Sequence, residues 1–466
     1  MPNMTRTQIF ISRCGHTTQF ALKQQNQVVQ LGSEFDHIPS LVDSIYLGKV
    51  DRVLPDLNMA FINIGESRLA VLSPIKGRDI YAGQWLLVQA IKDPVGDKWA
   101  VVSTDIALSS GYLVYRPLAK TAITLAKSIT DKTTQQHLKT DLQNLYQNHT
   151  LTGTLTARTL SVQANPQELG HHLKALNDIW QNLLQIKQST RPKKPKQLYQ
   201  APSPLLCTLT QHPNAQIYIN DNSLGETITA FLQQWLINSP SIIYDPSIWQ
   251  NEQLDKIIAT TLDKKVPLPS GGYLLIEYTQ AMTVIDVNTG SMVTDRAGDA
   301  IYQTNVQAVK EIAHQLRLRN ISGLIVVDLI DMKNPKHKTQ VLDEFKKVLA
   351  DDPAQTAISS INEFGLLTLT RQRQENSLAR QLCQSCPTCD GAGHIPNPQA
   401  VTLALIKQLL TLSPKSDSIN ITAHPTVIRF LQSQEQDTVT SISQNLTRQI
   451  ILNSDPNLHF EQFIIK

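Results

Sequence analysis

Two aspartates close apolar runs in the C-terminal half of this 466-residue chain. Thr283-Val-Ile-Asp-Val-Asn288 carries Asp286 and Asn288, and Leu324-Ile-Val-Val-Asp328 ends on Asp328, with Asp331 close behind. Short apolar runs rich in β-branched residues read as buried strands, and the stretch between these two holds one helix and two loops. A crossover of that kind makes the strands parallel neighbours. Both carboxylates then sit at the carboxyl ends, where open α/β sheets place their ligands. Two anions that close repel. A hard divalent cation relieves the repulsion, and magnesium favours one or two carboxylates completed by waters and phosphate oxygens. Such an ion lowers the pKa of a bound water and stabilises a phosphoryl transition state. One aspartate at a strand end is ordinarily a turn former or a helix cap. Two on adjacent strands, with an asparagine two residues on, favour the catalytic reading. Asp331 divides evenly between support for the pair and a solvated turn.

A second constellation reads Cys383-Gln-Ser-Cys386-Pro-Thr-Cys389-Asp-Gly-Ala-Gly393. Cys-x-x-Cys before small residues is a zinc-knuckle half-site, because a tight turn aims two thiolates at one metal. Zinc wants four ligands. Either two chains share one ion with two cysteines each, or Cys383 and His394 complete a site within one chain. Unligated cytosolic thiols are the bland alternative, and a redox role suits a Cys-x-x-Cys that opens a helix after a strand, which this one does not.

The elements that carry these residues follow from periodicity. Thr7 to Phe10, Thr18 to Leu22 and Gln27 to Leu31 read as a small strand meander. Ile45 to Val53, Met59 to Ile64, Leu69 to Leu72 and Gln84 to Ile91 are four β-rich runs separated by glycines and prolines, the pattern of a small barrel. Phe61 lies within it, with Lys49, Arg52, Lys92 and Lys98 in or beside its strands. Aromatics and cations on such a face hold single-stranded nucleic acid by stacking and phosphate tracking, although Phe61 fits a core position equally well. Ala119 to Ile186 reads as helical, with one strand near Leu155 to Thr159. Arg158 and Thr159 there put a guanidinium beside a hydroxyl, a pairing suited to a terminal phosphate or to an ordinary strand end. Arg191-Pro-Lys-Lys-Pro-Lys196 reads as a basic linker. From Tyr273 onward, strands at Tyr273 to Tyr278, Thr283 to Asp286, Gly323 to Val327 and Gly365 to Thr370 alternate with helices at Ala300 to Leu318 and Lys338 to Leu349. The order strand, helix, strand, helix, strand predicts a mostly parallel α/β sheet. Pro396 to Lys466 reads as a short α+β tail.

Composition bounds the rest. Lys and Arg number 42 against 39 Asp and Glu, a net charge of +3, so any nucleic-acid binding is local rather than a polycation effect. The candidate cationic surfaces are Lys49 to Arg52, Lys92 to Lys98, Arg158, and Arg371 to Arg373. No window approaches the ~18 consecutive apolar residues of a membrane span, and Met1 to Ser12 lacks a signal-like apolar core. Five cysteines, three of them clustered, point to a reducing cytoplasm rather than a disulfide framework.

Together these segments resemble the ribonuclease E/G family of bacterial and plastid endoribonucleases, in particular its ribonuclease G branch. The resemblance rests on Tyr46-Leu-Gly-Lys-Val50 with Ala60-Phe-Ile-Asn-Ile-Gly65, Leu268-Pro-Ser-Gly-Gly272, Val284-Ile-Asp-Val-Asn-Thr-Gly290 and Gln315-Leu-Arg-Leu-Arg319. It continues in Gly323-Leu-Ile-Val-Val-Asp-Leu-Ile-Asp-Met332, Phe364-Gly-Leu-Leu367 with Arg371-Gln-Arg373, Cys386-Pro-Thr-Cys-Asp-Gly-Ala-Gly393 and the tail Asp455-Pro-Asn-Leu-His459. It implies a multidomain α/β plus β architecture. Residues 1–39 and 201–261 would be two segments of an RNase H-like domain, 40–104 an OB-fold RNA-binding barrel and 105–200 a 5′-end sensor region. Residues 262–382 would form a DNase I-like α/β catalytic domain, 383–395 a zinc link and 396–466 a small C-terminal domain. Asp286 and Asp328 would bind catalytic magnesium, and Asn288 would orient the attacking water or the scissile phosphate. Cleavage of single-stranded RNA would leave 5′-monophosphate and 3′-hydroxyl ends, in rRNA and tRNA maturation and mRNA decay. Phe61 and Lys98 would contact RNA, and Arg158 and Thr159 a 5′-monophosphate. Cys386 and Cys389 would share one zinc between protomers of a homodimer or homotetramer.

The departures from the family concern RNA grip rather than chemistry. Its second barrel aromatic falls on Val71, its Lys-Gly-Ala stretch reads Lys98-Trp-Ala100, and its Arg-rich stretch before the sensor reads Ala126-Lys127-Ser128. Gln355 stands where the family completes the 5′ pocket with arginine, acidic residues opening the following helix thin to Asp299, and Gln307 replaces a frequent glutamate. The expectation is cleavage with reduced dependence on a 5′-monophosphate. The rivals are a non-catalytic RNA-binding member of the same family and a phosphatase or nucleotide hydrolase. The intact acidic set weighs against the first and the barrel against the second.

Overall fold

The computed structural model describes residues 7–94, 98–149, 151–189, 193–290, 297–373, 375–411 and 418–466. Arg191 and Pro192 of the expected linker, and the first six residues, lie outside them. The chain divides into two units, Met1–Leu382 and Cys383–Lys466.

The first unit begins with the expected meander, Gln8–Cys14, Thr17–Gln24 and Gln27–Phe35. Its first strand also pairs in parallel with Gln216–Ile219, Ile9 opposite Ile217, and Ile242–Tyr244 completes the five-stranded sheet. The chain therefore leaves this sheet after Phe35 and returns to it almost two hundred residues later. Both faces are buried, as period-two alternation requires. Ile9 and Ile11 face a cluster with Ile217, Leu232 and Trp235, while Phe10 between them faces Trp249, Leu254 and Ile258.

The excursion builds two structures. Ile45–Leu54, Met59–Asn63, Ala70–Leu72, Trp85–Lys92 and Val101–Ser103 form a barrel that closes where Ile45–Leu54 pairs with Trp85–Lys92. Its interior is Tyr46, Val50, Ala60, Ile62, Ala70, Leu72, Val88, Ala90 and Val102. Strand Val101–Ser103, between Ala70–Leu72 and Trp85–Lys92, is too short to show a period. The region predicted as helical does hold helices Lys132–Asn148 and Pro166–Ser189. It also holds strand Ala122–Leu125 and, near the expected place, strand Thr154–Ala157, which form a four-stranded sheet with Leu108–Ser109 and Leu113–Arg116 from before that region. Strands of two to four residues are stabilised by their pairing, not by their own pattern.

The sheet bearing the aspartates has the order Lys265–Pro267, Tyr273–Tyr278, Met282–Asn288, Gly323–Asp328, Leu366–Arg371, Thr356–Ile358. The expectation of a mostly parallel sheet is corrected. Only Met282–Asn288 and Gly323–Asp328 run parallel, and every other neighbouring pair is antiparallel. After helix Pro335–Leu349 the chain makes a hairpin, Thr356–Ile358 into Leu366–Arg371, and the hairpin reverses the incoming strand. Helix Ala297–Leu318 packs Ala308, Val309, Ile312, Ala313 and Leu316 onto this sheet, against Leu274, Ile285, Ile325 and Leu367.

A second correction concerns Arg371. It is not part of a cationic surface. Its side chain is 3% exposed and bidentate to Asp352, while Arg373 is exposed. Beyond it, Glu375 meets Gln30 of the first sheet, whose Nε2 donates to Oε1 at 3.5 Å. Burial, then the charge of Glu34, pushes the Glu375 carboxyl up to about 7. A folded-state value above the unfolded one means stability is fully present below the ordinary glutamate range and is lost as pH rises through 7. The loss is about 3 kcal/mol for a shift of that size. Glu375→Gln is therefore expected to raise the urea midpoint at pH 8 and to leave it nearly unchanged at pH 5.

In the second unit, Ser418–Ala423 pairs in parallel with Gln449–Ser454 and antiparallel with Phe463–Ile465, under helices Pro398–Thr411, Pro425–Gln434 and Gln436–Leu446. Among the described residues no helix is long and apolar enough to cross a membrane.

Candidate active site

Asp286 and Asp328 are direct partners in the parallel register of their two strands. Their Cα atoms thus lie one strand spacing apart, about 4.8 Å, toward the carboxyl ends of these two strands. Asn288 Nδ2 donates to Asp286 Oδ2 at 2.8 Å, which fixes the amide. Asp286 and Asn288 are half-buried and Asp328 is exposed. Partial withdrawal from water, then the charges of Asp286 and Asp331, raise the Asp328 carboxyl above the ordinary aspartate range. In an exposed group the neighbouring charges are the meaningful cause, and a cation would relieve them. Two carboxylates and an amide oxygen are hard donors. Among the described residues no group of three or more His, Cys, Asp or Glu gathers to hold a metal unaided. The set fits magnesium, which takes few protein ligands and keeps its waters.

Backbone contact holds this corner in place. A Cβ on Gly272 would lie 2.5 Å from the Asn288 carbonyl, and one on Gly290 would lie 2.3 Å from the Gly271 carbonyl. Leu268-Pro-Ser-Gly-Gly272 and the turn after Asn288 therefore touch main chain to main chain, which only glycine permits. Helix Ala297–Leu318 clamps the first of these loops and the loop after Asp328. Gln307 Oε1 accepts from the Ser270 N–H at 2.9 Å. Asn305, fully buried, donates from Nδ2 to the Ile330 carbonyl at 2.8 Å and accepts from the Ile330 N–H at 3.1 Å. Sequence reasoning passed over Asn305 and counted Gln307 only as a departure. The available signal was a polar pair, Thr304-Asn305, interrupting an apolar helix face.

On the barrel, Phe61 is 3% exposed. Arg52 Cζ sits 4.4 Å from its ring centre, and Trp99 meets it edge-on at 4.7 Å. This chain's own cation and indole thus cover the Phe61 ring. Trp99 itself faces solvent at 45% exposure, and Lys98 beside it is exposed. In register Phe61 opposes Val71 and Val71 opposes Val101, and Trp99 lies two residues before Val101.

Arg158 and Thr159 follow strand Thr154–Ala157. Arg158 is half-buried, its Nη1 donates to the Ser110 carbonyl at 2.9 Å, and burial holds its guanidinium below the usual range against the pull of Cys207 and Asp43. Thr159 is exposed, and its hydroxyl pairs with that of Ser128 at 2.6 Å. One arginine donor is thus committed within the chain. Gln355 is exposed and carries no charge.

In the second unit all three clustered cysteines are free. Backbone N–H groups of Thr388 and Cys389 lower the exposed Cys386 thiol, and Cys389 Sγ accepts from the Gly393 N–H at 3.3 Å. Gly391 and Gly393 have positive φ, 83° and 77°, closing the turn. His459 Nε2 lies 2.8 Å from the Thr388 carbonyl, so the tail motif braces the Cys-Pro-Thr-Cys turn.

A carboxylate pair at parallel strand ends, on one unit with a closed barrel bearing an exposed indole and cations, is the arrangement of a nuclease. The model of the Ribonuclease E/G family matches residues 107–374, and that of the RNase E/G thioredoxin-like domain matches residues 385–466. Ribonuclease G of Escherichia coli K12 is 30% identical over 454 residues, 91% of this chain and 92% of that protein. Ribonuclease G of Haemophilus influenzae is 29% identical over 463 residues, 93% of each. Ribonuclease E of Nostoc is 33% identical over 410 residues, 81% of this chain and 58% of that protein. The chain belongs to the ribonuclease E/G family, and it is an endoribonuclease.

Proposed function

We propose that this enzyme hydrolyses single-stranded RNA internally, with magnesium held by Asp286 and Asp328. The opposition of these two residues in register, with Asn288 bonded to the first, carries the proposal. Bound there, the ion would supply Lewis-acid stabilisation of the phosphoryl transition state. With Nδ2 committed to Asp286, Asn288 keeps Oδ1 to accept a hydrogen bond from the attacking water. Water adds to phosphorus as the P–O3′ bond breaks, and the leaving 3′ oxygen takes a proton. The products carry a 5′-monophosphate and a 3′-hydroxyl, and the work in the cytoplasm is rRNA and tRNA maturation and mRNA decay. The test maps the ends of a purified cleavage product. A 5′-monophosphate with a free 3′-hydroxyl is expected, and a 2′,3′-cyclic phosphate would overturn the reading.

Trp99, Arg52 and Lys98 offer the barrel's stacking and phosphate contacts. At the sensor, Arg158 has one donor spent on Ser110, and neither Ala126-Lys127-Ser128 nor Gln355 brings a second guanidinium. Cleavage of 5′-monophosphate and 5′-hydroxyl oligonucleotides is therefore expected to differ by no more than about ten- to a hundredfold, the worth of a single charge-assisted contact. A preference of several hundredfold would contradict this. The lowered Cys386 thiol and the braced turn support a zinc shared by Cys386 and Cys389 of two protomers. Metal analysis is expected to give about one half zinc per chain. Cys386→Ser should release it and halve the zinc-linked species in native mass.

A further inference from the structure

The loop between Thr356–Ile358 and Leu366–Arg371 carries Phe364. At 72% exposure it is the most exposed large apolar side chain among the described residues. The loop is built rather than loose. Asn362 Oδ1 accepts from the Phe364 N–H at 3.0 Å and from the Leu366 N–H at 2.9 Å, and the Asn362 carbonyl accepts from the Gly365 N–H at 3.2 Å. Its position ties it to the acidic corner. Leu366, two residues on, is the register partner of Asp328. Gly365, with φ +82°, lies so close to Asp331 that a Cβ there would be 3.1 Å from Oδ1. A rigid turn thus holds a phenyl ring in water one residue from the glycine packed on Asp331 and two from the register partner of Asp328, beside the proposed seat of the scissile phosphate. Every phosphodiester has a base on each side, and every base has an apolar face.

We propose that Phe364 is a stacking platform for a nucleobase flanking the scissile phosphodiester, setting the register of the strand over Asp286 and Asp328. This rests on the active-site reading above. No base edge is read by a phenyl ring, so the contact is tolerant of sequence while requiring an unpaired base. It thus adds to the selection of single strands at the reacting centre itself, independently of the barrel.

The test uses the whole enzyme and a short single-stranded RNA with one cleavage position, alongside versions abasic at either flanking nucleotide. Phe364→Ala is expected to lower kcat/KM on intact RNA roughly ten- to a hundredfold, the effect of losing one base stack. Phe364→Trp should restore cleavage and Phe364→Leu should not. One abasic substrate should slow the wild-type enzyme by a similar factor and show no further loss with Phe364→Ala. A Phe364→Ala enzyme within about twofold of wild type, a fully active Phe364→Leu, or losses that multiply with both abasic substrates would overturn the proposal. The abasic arm needs no variant, so it stands even where a substitution perturbs folding. Cleavage surviving in Asp328→Asn would overturn the active-site reading instead. An inactive Asp328→Asn beside an unaffected Phe364→Ala would overturn the stacking alone.

Discussion

Replacing either Asp286 or Asp328 by asparagine is expected to lower cleavage of single-stranded RNA roughly a thousandfold or more while leaving RNA binding intact. Asparagine keeps the size of the side chain and the strand pairing, so the change removes charge alone. A divalent ion bound to the pair contributes several kcal/mol to the transition state, and about 4 kcal/mol corresponds to three orders of magnitude. The double variant should be little worse than either single one, because residues holding one ion act as a unit. Stability should move the other way. Asp328 is raised partly by its neighbours' charges, so the folded state carries a repulsion that Asp328→Asn relieves. The melting temperature of this variant should match or exceed that of wild type. Single-turnover cleavage, an RNA-binding assay and thermal melting together check the three statements. Wild-type turnover in either single variant would refute the site.

The largest expected effect on stability lies at Arg371. Its Nε and Nη2 bond both oxygens of Asp352 at 2.8 and 3.0 Å, and its Nη1 donates to Asn320 Oδ1 at 3.0 Å and to the Ile321 carbonyl at 3.1 Å. The two side chains are 3% and 1% exposed. Arg371→Ala would strand a buried carboxylate and several acceptors, at a cost of about 3–5 kcal/mol. That is a large share of a typical folding free energy of ~5–15 kcal/mol. Arg371→Ala with Asp352→Ala should recover much of the loss, since it removes the unpaired charge. Urea unfolding of the single and double variants separates this from a loss of RNA contact, which would spare stability. A midpoint unchanged in Arg371→Ala would contradict the buried pair.

The placing of the acidic corner at strand ends was legible because its signals are local. Uninterrupted apolar runs ending in aspartate mark strand ends, and Pro-Ser-Gly-Gly and Asn-Thr-Gly mark the turns that meet there. The barrel was legible through its glycine-spaced runs. What escaped depends on partners distant in the chain. Periodicity does not encode strand direction, so the hairpin that turns Leu366–Arg371 antiparallel to Gly323–Asp328 left no trace in the pattern. A cation reads as surface until its acid is found, and the acid for Arg371 is nineteen residues back. Arg319 in Gln315-Leu-Arg-Leu-Arg319 behaves the same way. It is 2% exposed and donates from Nη1 to the Asp263 carbonyl, so this family motif holds the fold rather than the substrate. The Phe61 ring is likewise covered by Arg52, its cross-strand register partner, and by Trp99 just before strand Val101–Ser103, contacts that run between separate segments of the chain.

The central claim is that the Asp286–Asp328 pair works through magnesium on single-stranded RNA. The most direct measurement follows cleavage of a 5′-labelled single-stranded oligonucleotide as magnesium is titrated into enzyme stripped with a chelator of divalent ions. No cleavage is expected without the ion, and a saturable rise to full rate as it is added. Full-rate cleavage in the chelator would contradict it.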